Sequence, residues 1–244
     1  FVHGYNTSYP EAVFRMAQIA TDLRFEGRLI LFSWPSFAQV PAYVAHRESA
    51  NYSRDYLERL LDDVARTPGV SKVHLAAHSM GNWLAAETVR QARLRASSPF
   101  VAKLHEMVLM SPDVDVDVFR TQLDAIGKLR LPITLLVSAD DTALKVSERL
   151  AGDVSRVGNL EISDERLKEF DRVHKVRVID LSKVDSPDSL NHSKFLKVLP
   201  RLHEGSLSGR NAPVGAQIQK GGLYVFDAAR GVLELPGRLS DRIR

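Results

Sequence analysis

Val73-His74-Leu75-Ala76-Ala77-His78-Ser79-Met80-Gly81-Asn82, residues 73–82, decides how this chain is read. The apolar run Val73–Ala77 has the length and character of a buried strand. It ends in a small-x-Ser-x-Gly turn, and a helical pattern follows over 82–96. Strand, tight turn and helix in that order make the context of a nucleophile elbow, G-x-S-x-G, here with Ala77 in place of the first glycine. The turn needs small residues two before and two after the serine, because bulk there meets neighbouring backbone. Ala77 and Gly81 meet that need. Ser79 then stands at the start of a helix, whose dipole favours developing negative charge, and the Met80 N–H is the expected donor to an oxyanion.

Outward from this stretch, apolar runs alternate with helical patterns. Residues 29–34, Met107–Met110, Ile133–Val137 and Val176–Ile179 read as further strands. Val13, Met16, Ala17 and Ala20 share one helix face, with Pro10 near its start. Leu57, Leu60, Leu61 and Val64 share another, with Ser53 as the expected cap and Pro68-Gly69 as the stop. Residues 115–126 are a further helix candidate. The alternation predicts an α/β fold, a mostly parallel sheet with helices on both faces. Chemistry is then expected just beyond the carboxyl ends of the strands.

A serine nucleophile needs a base, and the base needs a carboxylate to orient it. Of eight histidines, His192 stands in the loop after the last strand, Val176–Ile179, in the order serine, acid, histidine that such an elbow requires. His46 and His203 fall in expected surface segments, His74 lies within a strand, His78 is the x of the elbow, and His105 and His174 precede strands. Three carboxylates stay open as the orienter. Asp141 and Asp140 follow the run Ile133–Val137, and Asp113 follows Met107–Met110. Asp141 precedes Thr-Ala-Leu, a helix start. Phe1-Val2-His3-Gly4-Tyr5-Asn6 supplies the remaining element. A His-Gly pair after a strand suits the second oxyanion donor, with Gly4 allowing close approach and Tyr5 offering its N–H. Trp34 and His78, at the same edge, are expected to contact substrate. This chemistry calls for neither metal nor cofactor.

Composition narrows the field. The chain has 244 residues, 44% apolar and 26% charged, which is ordinary globular material. There are no cysteines, so a thiol nucleophile and disulfides are excluded, and a reducing compartment is suited. No apolar stretch approaches the ~20 residues of a membrane span. The net charge of +3 lies entirely beyond residue 200: seven basic and four acidic residues stand there, leaving 26 of each sign before. A neutral body without an aromatic–basic motif argues against a nucleic-acid partner. The chain divides into residues 1–204 and a Gly-rich basic tail, 205–244, in which Leu223–Phe226 and Val232–Leu235 suit a small hairpin. Phe1-Val2 runs straight into His3-Gly4, as in a strand entered part-way. A fragment with early strands missing is the expectation.

The blocks Phe1-Val2-His3-Gly4-Tyr5-Asn6, Phe32-Ser33-Trp34-Pro35-Ser36, Arg47-Glu48-Ser49-Ala50, Ala77-His78-Ser79-Met80-Gly81-Asn82, Ser111-Pro112-Asp113, Asp141-Thr142-Ala143-Leu144 and His192-Ser193 occur in this order. They resemble the alpha/beta-hydrolase superfamily, and within it a bacterial family of esterase/lipase-like domains, domain of unknown function 900. His46 departs from it, standing where that family's pattern has an aspartate. The resemblance favours Asp141 as the acid. It implies a serine hydrolase acting on an ester or a small lipid-like acyl compound. A lipase, thioesterase, peptidase or acyltransferase would use the same triad, and a non-catalytic binding module is the third reading. Residues 37–50 are positioned to cap the site.

Overall fold

A computed structural model of the chain describes residues 1–36, 43–95, 97–204, 224–227 and 231–232. Helix α1 (Tyr9–Asp22) carries Pro10 in its first turn, and the Ser8 N–H donates to the Glu11 carboxylate at 2.7 Å. The two groups close a capping box that satisfies donors the helix itself leaves open. After α2 (Tyr43–Arg66) the elements alternate as the periodicity predicts. Strand β1 (Val73–His78) leads to α3 (Gly81–Leu94) and the short α4 (Pro99–Lys103). Next come β2 (Leu104–Met110), α5 (Val116–Ile126), β3 (Thr134–Val137), α6 (Thr142–Leu150), α7 (Glu165–His174), β4 (Arg177–Asp180) and α8 (Phe195–Glu204). Strands β1 to β4 pair in that order, all parallel. Beyond β4, β5 (Tyr224–Asp227) pairs antiparallel with it and with β6 (Gly231–Val232). The rest of the tail lies outside the described residues.

Both faces of the parallel sheet are covered, and the strands show it residue by residue. Met107 and Leu109 of β2, Leu135 and Val137 of β3, and Val178 of β4 enter one apolar core beneath α2, α3, α5 and α7. Val108 and Met110, Leu136 and Ile179 enter the other, beneath α1 and α8. Side chains alternate across a strand, so an unbroken apolar run is what two buried faces require. Each fully buried leucine contributes roughly 1.5–3 kcal/mol of transfer free energy.

Three expectations need correction. Residues 29–34 do not form a strand. Only Phe32 bridges to Val2, with the Phe32 N–H donating to the Phe1 carbonyl at 2.9 Å, while Leu29 and Ile30 are 45% and 40% exposed. Apolar character favours burial, but a strand also needs a neighbour to take its backbone groups. Ser53 does not cap α2. That helix starts by Tyr43, and the Ser53 hydroxyl bonds back to the Ser49 carbonyl at 2.7 Å from inside it. His105 lies inside β2, as its second residue, not before it.

Candidate active site

The parallel register assembles one edge. Val2 bridges to Ala77, so two residues further along each chain Gly4 lies against Ser79. The contact is close: a Cβ on Gly4 would sit 2.8 Å from the Ser79 Cβ. Gly81 is held as tightly, since a Cβ there would come within 2.3 Å of the His3 carbonyl oxygen. Ser79 itself has φ 52°, the left-handed region. Non-glycine residues hold it at a cost on the order of 1–3 kcal/mol. Buried hydrogen bonds fix the turn. The Ser79 N–H donates to Met110 in β2 (3.0 Å), and the Asn82 side-chain amide donates to the carbonyls of Ser79 (2.9 Å) and Met110 (2.8 Å). The Met80 N–H, at the head of α3, donates to no other group among the described residues.

Asp141, fully buried, stands at the N-cap of α6. One oxygen, Oδ1, accepts from the Leu144 N–H at 3.0 Å. The other, Oδ2, lies 2.7 Å from His192 Nδ1. The bond sets the tautomer: Nδ1–H donates to the carboxylate, and the Nε2 lone pair faces away. Burial pushes the His192 pKa down, but the hydrogen bond and charge of Asp141 outweigh it and raise the pKa above that of an ordinary histidine. The neighbouring His78 ring, centred 4.6 Å away, moves the opposite way. Burial, then the proximity of His192, holds its pKa well below the usual value, which keeps it neutral. Its Nε2 reaches the His192 carbonyl at 3.3 Å. No hydrogen bond joins Ser79 Oγ to His192 among the described residues; such contacts commonly tighten only when substrate binds.

The other two carboxylates face elsewhere. Asp140 accepts from Lys194 Nζ at 2.7 and 2.6 Å and from the Asn191 side-chain amide at 3.1 Å. Burial raises its pKa, and the bonds from Lys194 and Ser138 reverse that to a net lowering. Asp113 accepts from the Tyr43 hydroxyl (3.2 Å) and the Ser147 hydroxyl, and lies 3.4 Å from Arg156 Nε. The structure thus brings Asp141, and neither of the others, to His192.

Sequence reasoning overlooked the supports. Asp188 accepts from the backbone N–H groups of Leu190 (2.8 Å), His192 (3.2 Å) and Ser193 (2.7 Å), folding the histidine loop around one carboxylate. Lys194, almost fully buried, ties that loop to Asp140 and to the Ser182 carbonyl. The local signal is the Asx turn, in which an aspartate bonds the backbone two residues on, as Asp188 does to Leu190. Trp34 takes a supporting place. Its indole N–H donates to the His3 carbonyl at 2.8 Å, and its ring stacks on the His3 imidazole at 5.3 Å. His3 Nε2 accepts from the Trp34 backbone N–H at 3.2 Å, and burial lowers the pKa of that imidazole. Tyr5 meets His46 edge-on at 4.7 Å. His46 is fully buried, a correction to its expected surface place. Of the segment expected to cap the site, 37–42 lies outside the described residues and 43–50 forms the start of α2, where Tyr43 reaches Asp113.

Among the described residues, no group of three His, Cys, Asp or Glu side chains is arranged to hold a metal ion. No described helix is long and apolar enough to cross a membrane. The family model described as "Alpha/beta hydrolase of unknown function (DUF900)" matches residues 1–205. No curated protein matches the chain, and no solved structure matches it.

Proposed function

The chain belongs to that alpha/beta-hydrolase family, and on that premise we propose that it is a serine hydrolase of carboxylic esters or related acyl compounds. The observation that carries the reading is the 2.7 Å bond from His192 Nδ1 to a buried aspartate, at the same sheet edge as a strained serine. In the proposed reaction His192 Nε2 takes the Ser79 proton as Oγ attacks the acyl carbon. Asp141 holds the imidazole in the right tautomer and stabilises the imidazolium that forms. The Met80 N–H and the Gly4–Tyr5 loop face the developing oxyanion. The imidazolium then protonates the departing alcohol. Water, deprotonated by the same Nε2, releases the acid from Ser79.

Hydrolysis of 4-nitrophenyl acetate and butanoate by the full chain, beside Ser79→Ala, tests this. The reading expects turnover in the native chain and loss of about 10³-fold or more in the variant. Equal rates in the two proteins would overturn it in favour of a binding module.

A further inference from the structure

Ser79 shares its left-handed backbone with Ser111 (φ 45°), just beyond β2, and with Asn191 (φ 59°), just before His192. Asparagine visits this region; serine seldom does. Such outliers persist only where their surroundings over-determine them, and they gather at functional sites. The contacts of Ser111, 3% exposed, show what holds it there. Its N–H donates to the Leu136 carbonyl in β3 at 2.9 Å, and its hydroxyl donates to the His192 carbonyl at 3.2 Å.

His78, the last residue of β1, reaches the same oxygen from the elbow. A carbonyl only accepts, so His78 Nε2, 3.3 Å away, carries the proton of the neutral ring. That ring also packs against the His192 imidazole (centroids 4.6 Å apart) and the Phe195 ring (4.9 Å). The polar groups of His192 other than Nε2 are thus all held. Its N–H donates to Asp188 at 3.2 Å and its Nδ1–H to Asp141 at 2.7 Å. Its carbonyl, with two lone pairs, takes one donor from each of two strand ends. His192 lies in a loop between β4 and α8, with no sheet ladder of its own to fix it. A base misplaced by about 1 Å can lose 10²-fold in rate.

We infer that Ser111 and His78 are positioning residues for the proposed reaction, gripping the His192 carbonyl from the ends of β2 and β1 so that Nε2 stays within reach of Ser79. The inference rests on the hydrolase reading. It gives the strained backbone of Ser111 a purpose, which is to aim a hydroxyl at the histidine loop. Both residues act through His192, and neither has to touch substrate.

Ser111→Gly separates positioning from folding, because glycine accepts a positive φ without strain while the hydroxyl is lost. With 4-nitrophenyl acetate the variant should lose about fivefold in kcat, with KM within about twofold and the urea midpoint close to the native one. His78→Phe keeps an aromatic ring and removes the Nε2–H, and it should lose about fivefold likewise. His78→Gln, whose side-chain amide can place an N–H where Nε2 stood, should recover most of that loss. Ser111→Gly and His78→Phe together should lose about 10²-fold, more than the product of the single losses, since either donor alone still holds the carbonyl. The Ser111→Gly measurement stands by itself if a His78 substitution unfolds the elbow. Native kcat in Ser111→Gly, a loss confined to KM, or a lowered urea midpoint with kcat per folded chain unchanged would overturn the inference and leave the hydrolase reading standing. No hydrolysis of the acetate by the native chain would overturn both.

Discussion

Two buried aspartates stand beyond neighbouring strands and face different partners. Asp141, after β3, meets an imidazole at 2.7 Å; Asp113, after β2, meets a guanidinium at 3.4 Å and two hydroxyls. Both carboxylates are withdrawn from water, and both need positive or donor partners for that reason. The partner decides what each can do. An imidazole gives up its second nitrogen's proton near neutral pH, so the Asp141 pair can pass a proton. A guanidinium does not titrate in the accessible range, so the Asp113 pair is a fixed charge. One strand end is suited to chemistry, and the next to holding shape and charge around it.

Exchanging a single atom at Asp141 should produce the largest effect. Asp141→Asn keeps an oxygen for the Leu144 N–H, since asparagine caps as well as aspartate, but it loses the charge behind His192. We expect kcat to fall about 10³–10⁴-fold with the urea midpoint nearly unchanged. A large stability loss with activity retained would reverse the two roles. At the other aspartate the balance should invert. Arg156→Met leaves Asp113 buried beside Tyr43 and Ser147 without its counter-charge, and breaking a buried pair in this way costs about 3–5 kcal/mol. Urea unfolding checks it, and Asp113→Asn in the same chain should recover a good part of the loss.

The pH dependence sharpens the contrast. In the proposed reaction His192 acts as a base only when neutral, and its pKa is raised. Ester hydrolysis should therefore rise with pH through a midpoint above that of an ordinary histidine, and Asp141→Asn should move the midpoint down. His78 stays neutral across that window because its pKa is lowered. Arg156→Met should leave the midpoint nearly in place, because the Asp113 charge contributes less to His192 than Asp141 does. The smallest effect is expected from Tyr43→Phe. It removes one hydroxyl from Asp113, which keeps Ser147 and Arg156, and should cost about 0.5–1.5 kcal/mol in urea unfolding.

What could be read beforehand followed from local chemistry. Strands β1 to β4 are legible because burial on both faces writes an unbroken apolar run, and the helix cap at Asp141 because it stands three residues ahead of Leu144. The preference for Asp141 over Asp140 and Asp113 comes from the resemblance. Residues 29–34 have the same apolar look, yet only Phe32 finds a bridge partner, and the neighbour a strand pairs with is not written in its own composition. His46 lies on a helix whose start the Ser53 signal misplaced, so its burial went unseen. The Asp113–Arg156 pair spans 43 residues, and Lys194 reaches Asp140 across 54. No local pattern links such positions until the fold closes.

The central claim, that Ser79 is a nucleophile activated by His192, is tested most directly by treating the folded full chain with a fluorophosphonate and locating the adduct by mass spectrometry. The account predicts one adduct, on Ser79, whose formation slows at least a thousandfold in His192→Ala. An adduct on another residue, none at all, or labelling of Ser79 at an unchanged rate in that variant would contradict it.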